Sequence, residues 1–261
     1  MTTASKIFAA LFAVALFSPT ALQAGTIVGL VDGNSLVMID AASRKVTGKV
    51  HIKGGFNKIL GIDMRPADGV LYGVTSDGTI VTIDLKSGQA TNKSKLSEAW
   101  KSGITTTIDF NPVADRLRVM GSNGANVRVN VDDGKATIDG SHKYKDGDVN
   151  AGKTPKVIAG SYSNSVKGAQ STALYDLDAA TGALVTQAPP NDGILNTVGP
   201  LGVRLDGRVA FKIAAGQERN DAWLVVDGNL LYSVDLKTGK ATMAGKIGGL
   251  TGKLTDIAWW E

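Results

Sequence analysis

The sequence predicts an all-β protein, a five-bladed β-propeller of four-stranded antiparallel blades. Tight-turn dipeptides recur between apolar runs, with glycines at positions 33, 78, 124, 182 and 228, so successive units are 45, 46, 58 and 46 residues long. The flanking runs contain about six residues rich in β-branched and aromatic types, which favours strands over helices. Four-stranded units of about 45 residues are typical of propeller blades, although a β-sandwich with regular hairpins stays open as the alternative.

The second unit shows how each unit is divided into strands. The opening strand "LGIDMR" precedes "VLYGVT", and the dipeptide Asp77-Gly78 then leads into "TIVTID". Asp-Gly and Asn-Gly adopt positive φ readily, which suits a two-residue hairpin, and four of the five units carry one of them. A second turn, "DLKSGQ", leads into the polar strand "QATNKS".

The two ends of the chain predict how the ring closes. The chain after residue 24 begins with "TIVGLV", which matches the second strand of a unit, and it ends with "KLTDIAWW", which matches the first. We therefore expect the C-terminal strand to pair with the N-terminal blade, leaving no free edge in a protein without cysteine. Trp259 and Trp260 point to opposite faces of an extended strand, and in a blade stacked on both faces both can be buried.

Residues 1–24 have the order of a cleaved secretory signal. A lysine precedes eleven apolar residues, too few for a membrane span of about 20, and the small-residue end "ALQA" follows. We expect residues 25–261 to form a single propeller domain in the periplasm or outside the cell, with no membrane span after cleavage. Cleavage reduces the formal charge from +4 to +3, and short dispersed basic runs do not predict a nucleic-acid surface.

The opening strands carry polar residues in near-equivalent places. Asp63, Asp109 and Asp256 occupy these places, and Arg65 and Asn111 follow two positions later, hence on the same strand face. Carboxylates gathered around one axis suit ligand or cation binding, or the general acid–base chemistry of a glycosidase-like hydrolase. The alternative is that these groups bond only the backbone or Arg65 inside a narrow channel.

The sequence contains few residues of the types that other catalytic mechanisms need. His51 and His142 are the only histidines, no cysteine is present, and none of the three glutamates lies on an opening strand. These residues supply neither a nucleophile–base pair nor a closed zinc set. We assign no catalytic residue, and the sequence favours a binding or scaffold module over an enzyme.

The longest interruption of the repeat, residues 140–156, contains a partial calcium-loop pattern. Asp146, Asp148 and Asn150 have the alternate spacing of such a loop. The match fails at the sixth position, where Ala151 replaces glycine, and no glutamate closes the loop. A structural turn is the favoured interpretation, and a calcium-stabilised structural protein stays open as a hypothesis.

A second long loop, residues 187–193, adds Asn191 and Asp192 as candidate ligand contacts. Loops on a rigid ring commonly carry binding function. The predicted protein is thus a monomer that binds a small molecule, a glycan or another protein of unknown identity, at the channel mouth and at these loops. No cofactor is predicted apart from the weak calcium hypothesis.

A family resemblance rests on five stretches of the chain: "DFNPVADRLRV", "NVRVNVDDG", "DVNAGKTP", "YSNSVKGAQSTALYDLD" and "LVTQAPPNDGILNTVGPLG". Residues 62–202 thereby resemble an uncharacterised family of exported bacterial proteins, domain of unknown function four-three-nine-four. The resemblance implies a propeller-like exported domain and brings no assigned reaction or catalytic residues. The stretch "GIDMRPADGVLYGVTSDGTIVTID" is also similar to a WD-type propeller unit, which concerns the fold alone.

Overall fold

The computed structural model describes residues 25–100, 104–216 and 220–261. The predicted secretory signal, residues 1–24, lies outside the described residues. The described chain forms five small sheets, each built on four antiparallel strands, and one of the five sheets has an additional edge strand. The innermost strands contact one another in a closed ring, which confirms the predicted five-bladed propeller.

The first three blades each run from an innermost strand outward to a more exposed one. Blade 1 contains β21 (Leu254–Trp260), β1 (Thr26–Val31), β2 (Ser35–Asp40) and β3 (Lys45–His51); blade 2 contains β4 (Ile59–Met64), β5 (Leu71–Thr75), β6 (Thr79–Ile83) and β7 (Ala90–Lys95); blade 3 contains β8 (Thr106–Asn111), β9 (Arg116–Gly121), β10 (Asn126–Val129) and β11 (Ala136–Ile138).

Blades 4 and 5 complete the ring in the same inner-to-outer order. Blade 4 contains β13 (Val157–Tyr162), β14 (Leu174–Asp178), β15 (Ala183–Gln187) and β16 (Ile194–Pro200); blade 5 contains β17 (Ala210–Ala215), β18 (Asn220–Val226), β19 (Leu230–Val234) and β20 (Ala241–Lys246).

Blade 4 has one strand more than the repeat predicts. β12 (Lys143–Tyr144), from the long interruption, pairs in parallel with β16 at the outer edge of this blade. The other long loop contains a short 3-10 helix, Pro190–Asp192, and no helix among the described residues is long and apolar enough to cross a membrane.

Ring closure occurs where the sequence predicts it. β21 pairs antiparallel with β1, from Thr26 opposite Trp260 to Val31 opposite Leu254, with one irregularity near the end. The sequence allowed both tryptophans to be buried, but only Trp259 is, and Trp260 is 41% exposed. Trp260 is the last residue of β21 and lines an open groove between blades 1 and 2.

Burial decreases from the axis outward, which explains the sequence pattern. All five residues of β5 are buried, whereas four of the six residues of β7 are exposed. The neighbouring blades cover the inner strands on both faces, so these strands read as continuous apolar runs rather than as alternating ones. The outermost strands are more exposed, and β3 alternates between exposed and half-buried residues along its whole length.

The apolar core is divided into layers between the blades. Trp223 and Trp259 belong to the layer between blades 5 and 1, and Tyr72 meets Phe110 edge-to-face at 5.3 Å between blades 2 and 3. Between blades 3 and 4 the cluster of buried apolar residues is small among the described residues and consists of Met120, Tyr162 and Leu174. Much of the remaining contact between these two blades is polar.

Candidate functional site

Each innermost strand contributes one buried polar side chain near the axis; four of these side chains occupy equivalent register positions, and the fifth, Asp256, lies two residues nearer the start of its strand. We call these five residues the axial ring, and none is more than 5% exposed. The structure thus brings together the three carboxylates that the sequence singled out, together with a serine and a lysine that it did not. The members, in order around the ring, are Asp256, Asp63, Asp109, Ser161 and Lys212.

Four members of the axial ring accept a backbone N–H from the innermost strand of the following blade. Each of these bonds therefore joins two blades, and a buried carboxylate is stabilised by such donors. The bonds run from Ile62 N–H to Asp256 Oδ2 (2.8 Å), from Phe110 N–H to Asp63 Oδ2 (2.8 Å), from Tyr162 N–H to Asp109 Oδ1 (2.9 Å) and from Ile213 N–H to Ser161 Oγ (3.1 Å).

Lys212 occupies the fifth place and extends toward two carboxylates. Its Nζ lies 2.6 Å from Oδ1 of Asp63 and 2.7 Å from Oδ2 of Asp109. The same oxygen of Asp109 accepts the Ser161 hydroxyl at 3.0 Å. The only sequence signal for Lys212 is a lone lysine in the apolar run "AFKIAA", at the place where other units carry aspartate.

The axial ring holds three carboxyl groups and one ammonium group away from water, so burial alters their ionisation. Burial first, and then the charge of Asp63, raise the pKa of Asp109, and the opposing effect of Lys212 does not cancel them. Burial alone would lower the pKa of Lys212, but the charges of Asp109 and Asp63 keep that pKa above its ordinary value. Burial also raises the pKa of Asp256 well above its ordinary value.

A cavity of about 420 Å³, which we call the axial mouth, opens at the end of the ring where the innermost strands begin. Every blade contributes to its wall, and its volume lies in the range of small-molecule sites, about 300–1,000 Å³. The lining includes Lys58, Ile59, Thr105, Thr106, Lys156, Ile158, Asp206, Arg208, Val209 and Thr255.

The lining of the axial mouth is rich in positive charge. Among the described residues, neither Lys58 nor Lys156 forms an ion pair, while Arg208 lies 3.3 Å from Asp32. The single carboxylate of the lining, Asp206, lies 2.9 Å from the guanidinium of its neighbour Arg204. These basic residues lie in irregular connections between blades, where the repeat gives no register, so the sequence does not mark them as candidates.

Arg65 and Asn111 lie at the opposite end of the axis, where the innermost strands end. Arg65 donates to both carboxylate oxygens of Asp115 at 2.6 and 2.8 Å, which joins blades 2 and 3. Asn111 Oδ1 accepts the N–H groups of Val113 and Ala114, each at 2.9 Å, and so closes the turn after β8. The structure does not bring these two candidates together with the axial mouth.

Asn191 contributes to a buried polar cluster between blades 3 and 4, which we call the polar seam. Its Oδ1 accepts Nη2 of Arg118 at 2.8 Å. Arg118, which is 1% exposed, also donates to the Tyr162 hydroxyl at 2.7 Å, to Asp139 at 3.0 Å and to the side-chain oxygen of Asn126. Asn191 therefore has an anchoring role.

Asp192 is exposed beside Asn191, and its backbone rather than its carboxylate lies against the neighbouring segment. A Cβ added at Gly140 would lie 2.5 Å from the Asp192 carbonyl oxygen, so the two backbones touch. Two buried side chains near the polar seam form no hydrogen bond with the described residues: Asp176 and His142.

The partial calcium-loop pattern is held by contacts with β16. Oδ2 of Asp148 accepts the Thr197 N–H at 2.7 Å, and its Oδ1 accepts the Thr197 hydroxyl at 2.7 Å. Asn150 Oδ1 accepts Nζ of Lys153 at 2.9 Å, and Asp146 is exposed. These contacts favour a structural turn, and within the described ranges no group of three or more His, Cys, Asp and Glu residues is suited to hold a metal ion.

Comparison with known proteins supports the fold but supplies no activity. The family model "Domain of unknown function (DUF4394)" matches residues 35–258, and no curated protein matches the chain. A structural genomics protein of unknown function from Bacteroides thetaiotaomicron VPI-5482 is similar with a TM-score of 0.52 and 15% identity over 92% of this chain and 65% of that one.

A second solved structure, a protein of unknown function from Bacteroides caccae, is 14% identical with a TM-score of 0.42. That similarity covers 87% of this chain and 74% of the other.

Proposed function

Because the chain belongs to the family described as Domain of unknown function (DUF4394), which carries no assigned reaction, we propose its function from its own geometry. We propose that it is an exported, monomeric binding module whose ligand occupies the axial mouth. The observation that carries this proposal is a cavity of about 420 Å³ to which all five blades contribute.

The charge of the axial mouth favours an anionic ligand. Two lysines without an ionic partner among the described residues, Lys58 and Lys156, lie in its lining with Arg208. A carboxylate, phosphate or sulfate group would meet these cations together with the hydroxyl group of Thr105. A rigid ring offers such groups with little ordering cost, which favours binding.

The same geometry argues against the hydrolase hypothesis. The carboxylates that such an enzyme would use, Asp63, Asp109 and Asp256, are buried and accept backbone N–H groups from the following blades. A general acid must reach the substrate oxygen within hydrogen-bonding distance. Groups that connect the blades in the interior do not meet this requirement.

The proposal is tested by isothermal calorimetry with citrate, glucose 6-phosphate and a sulfated disaccharide, and with glucose as the uncharged control. The variant Lys58→Gln, Lys156→Gln, Arg208→Gln should weaken binding of a charged probe about tenfold or more, because three ionic contacts are lost. A matched variant that neutralises the exposed Lys86, Lys237 and Lys240 retains the affinity. Equal losses in both variants would refute a specific site.

A further inference from the structure

Lys212 lies at the centre of a buried arrangement that contains everything needed for an internal amide bond. Its Nζ is 2.6 Å from Oδ1 of Asp63 and 2.7 Å from Oδ2 of Asp109, and all three side chains are at most 5% exposed. One carboxylate is enough to balance one ammonium group, so the second is available for another role. We propose that Lys212 and Asp63 condense to an isopeptide bond that links blade 5 to blade 2.

The contacts of the two carboxylates assign them different roles. Both carboxylates accept one backbone N–H, and the difference lies in the oxygen that faces Nζ: on Asp109 it also accepts the Ser161 hydroxyl, whereas on Asp63 its one hydrogen bond among the described residues is to Nζ. Asp63 is therefore the electrophile, since this oxygen is free to leave, and the Phe110 N–H at 2.8 Å stabilises the negative charge that develops on Oδ2 during attack. Asp109 is the base that removes a proton from Nζ. The Tyr162 N–H and the Ser161 hydroxyl hold its two oxygens in place.

The reaction balances without a co-reactant. Asp109 takes one proton from the ammonium group, and the neutral amine attacks Cγ of Asp63. The bond between Cγ and Oδ1 of Asp63 then breaks, and Oδ1 leaves as water with two of the three ammonium protons, one of them relayed by Asp109. The third proton stays on the amide nitrogen, so an ion pair is converted to a neutral amide and one water molecule.

Burial favours the product. The axial ring excludes bulk water, which removes the reactant for hydrolysis of the amide, and it replaces two buried charges by a neutral group. The resting ion pair keeps Lys212 protonated, which opposes attack. The raised pKa of Asp109 lowers this obstacle, because it makes that carboxylate a better proton acceptor. The fold also holds the amine and the carboxyl together, so that even a slow reaction can go to completion.

The proposed bond would supply the covalent connection that a chain without cysteine otherwise lacks. Lys212 and Asp63 are 149 residues apart in sequence, so the bond would close a long loop. Such a cross-link restricts the unfolded chain in the manner of a disulfide, and reducing agents do not cleave it.

Mass spectrometry of the purified protein tests the proposal directly. The intact protein should be lighter by one water molecule than its sequence. Tryptic digestion should give a branched peptide in which residues 59–86 are joined to residues 209–219, because cleavage after Lys212 is blocked. The branched peptide is required, since Asp-Gly sequences also lose water by forming succinimides. A full sequence mass, or cleavage after Lys212 in the whole population, would overturn the proposal.

Variants assign the roles. Asp63→Ala and Lys212→Met should each restore the full sequence mass, and Asp109→Asn should do so while both bonding partners remain. Asp176→Asn alters a buried carboxyl outside the axial ring and should retain the branched peptide. A branch at Asp109 instead of Asp63 would overturn the assignment of electrophile and base. The digest of the unmodified chain decides the question even if a variant fails to fold.

Discussion

Deletion of residues 253–261 should unfold the protein, because it removes the strand that closes the ring. β21 is the innermost strand of blade 1, and it pairs with β1 along six register positions. The deletion exposes one edge of β1 and also removes contacts that β21 makes with the innermost strands of blades 2 and 5. Trimming an ordinary terminus would have none of these effects.

The size of the effect follows from the buried side chains that are lost. Leu254, Ile257 and Trp259 are 0%, 1% and 7% exposed. Full burial of one large apolar side chain contributes about 1.5–3 kcal/mol, so these three contribute about 5–9 kcal/mol. The whole free energy of unfolding of a domain is about 5–15 kcal/mol. The truncated chain therefore retains little or no stability.

Circular dichroism during thermal and urea unfolding measures the result, with deletion of Glu261 alone as the control. A graded test uses two adjacent residues of β21: Trp259→Ala should cost about 3–5 kcal/mol, and Trp260→Ala less than about 2 kcal/mol, because Trp260 is 41% exposed. The reasoning fails if the truncated chain melts cooperatively near the temperature of the full chain, or if both tryptophans cost the same.

Three further predictions concern the interior of the ring and its turns. Lys212→Met leaves the carboxyl groups of Asp63 and Asp109 buried with neither the ammonium group nor the proposed bond to blade 5, and it should lower the free energy of unfolding by at least about 3 kcal/mol in urea titrations; a change below about 1 kcal/mol would contradict this role. Burial, and then the charge of Arg118, lower the pKa of His142 from 6.5 to about 4, so the unfolded chain binds a proton that the folded chain excludes. Stability should therefore fall as the pH decreases from about 6.5 to 4, by up to about 3 kcal/mol more than in His142→Gln; parallel pH profiles would refute this. Gly88→Ala should be far more destabilising than Gly182→Ala in the same titrations: both have positive φ, but only at Gly88 would the new Cβ lie 2.1 Å from a backbone oxygen, and equal losses would refute the argument.

The repeat in the sequence predicted the architecture well because each blade carries the same local signals. Asp227 and Gly228 both have positive φ, as expected for a two-residue hairpin, and the final strand closes blade 1 as its similarity to other opening strands indicated. The one addition, β12, lies in the long interruption. Two residues with no periodicity do not identify a strand, and its partner β16 is distant in sequence.

The candidate site was only partly predictable. The repeat predicted that Asp63, Asp109 and Asp256 would lie near the axis, and Asp63 and Asp109 do meet there at Nζ of Lys212. Asp256 instead accepts the Ile62 N–H, because it lies two residues nearer the start of its strand than the repeat indicated. The role of Lys212 depends on three-dimensional distances across the ring, which periodicity does not contain. Asn191 likewise contacts a residue of another blade, Arg118, and nothing in the sequence distinguishes Arg118 from other polar residues of the strands.

The polar seam has a consequence for how the blades assemble. Apolar surfaces of similar repeats fit one another in more than one arrangement, since contact between hydrocarbon groups has little directionality. The guanidinium of Arg118 requires several acceptors at fixed angles, and these come from both blades 3 and 4. If a blade other than blade 4 packed against blade 3, the positive charge of Arg118 would be buried without its acceptors from blade 4. The polar seam therefore favours the packing of blade 4 against blade 3 over the packing of any other blade at that place in the ring.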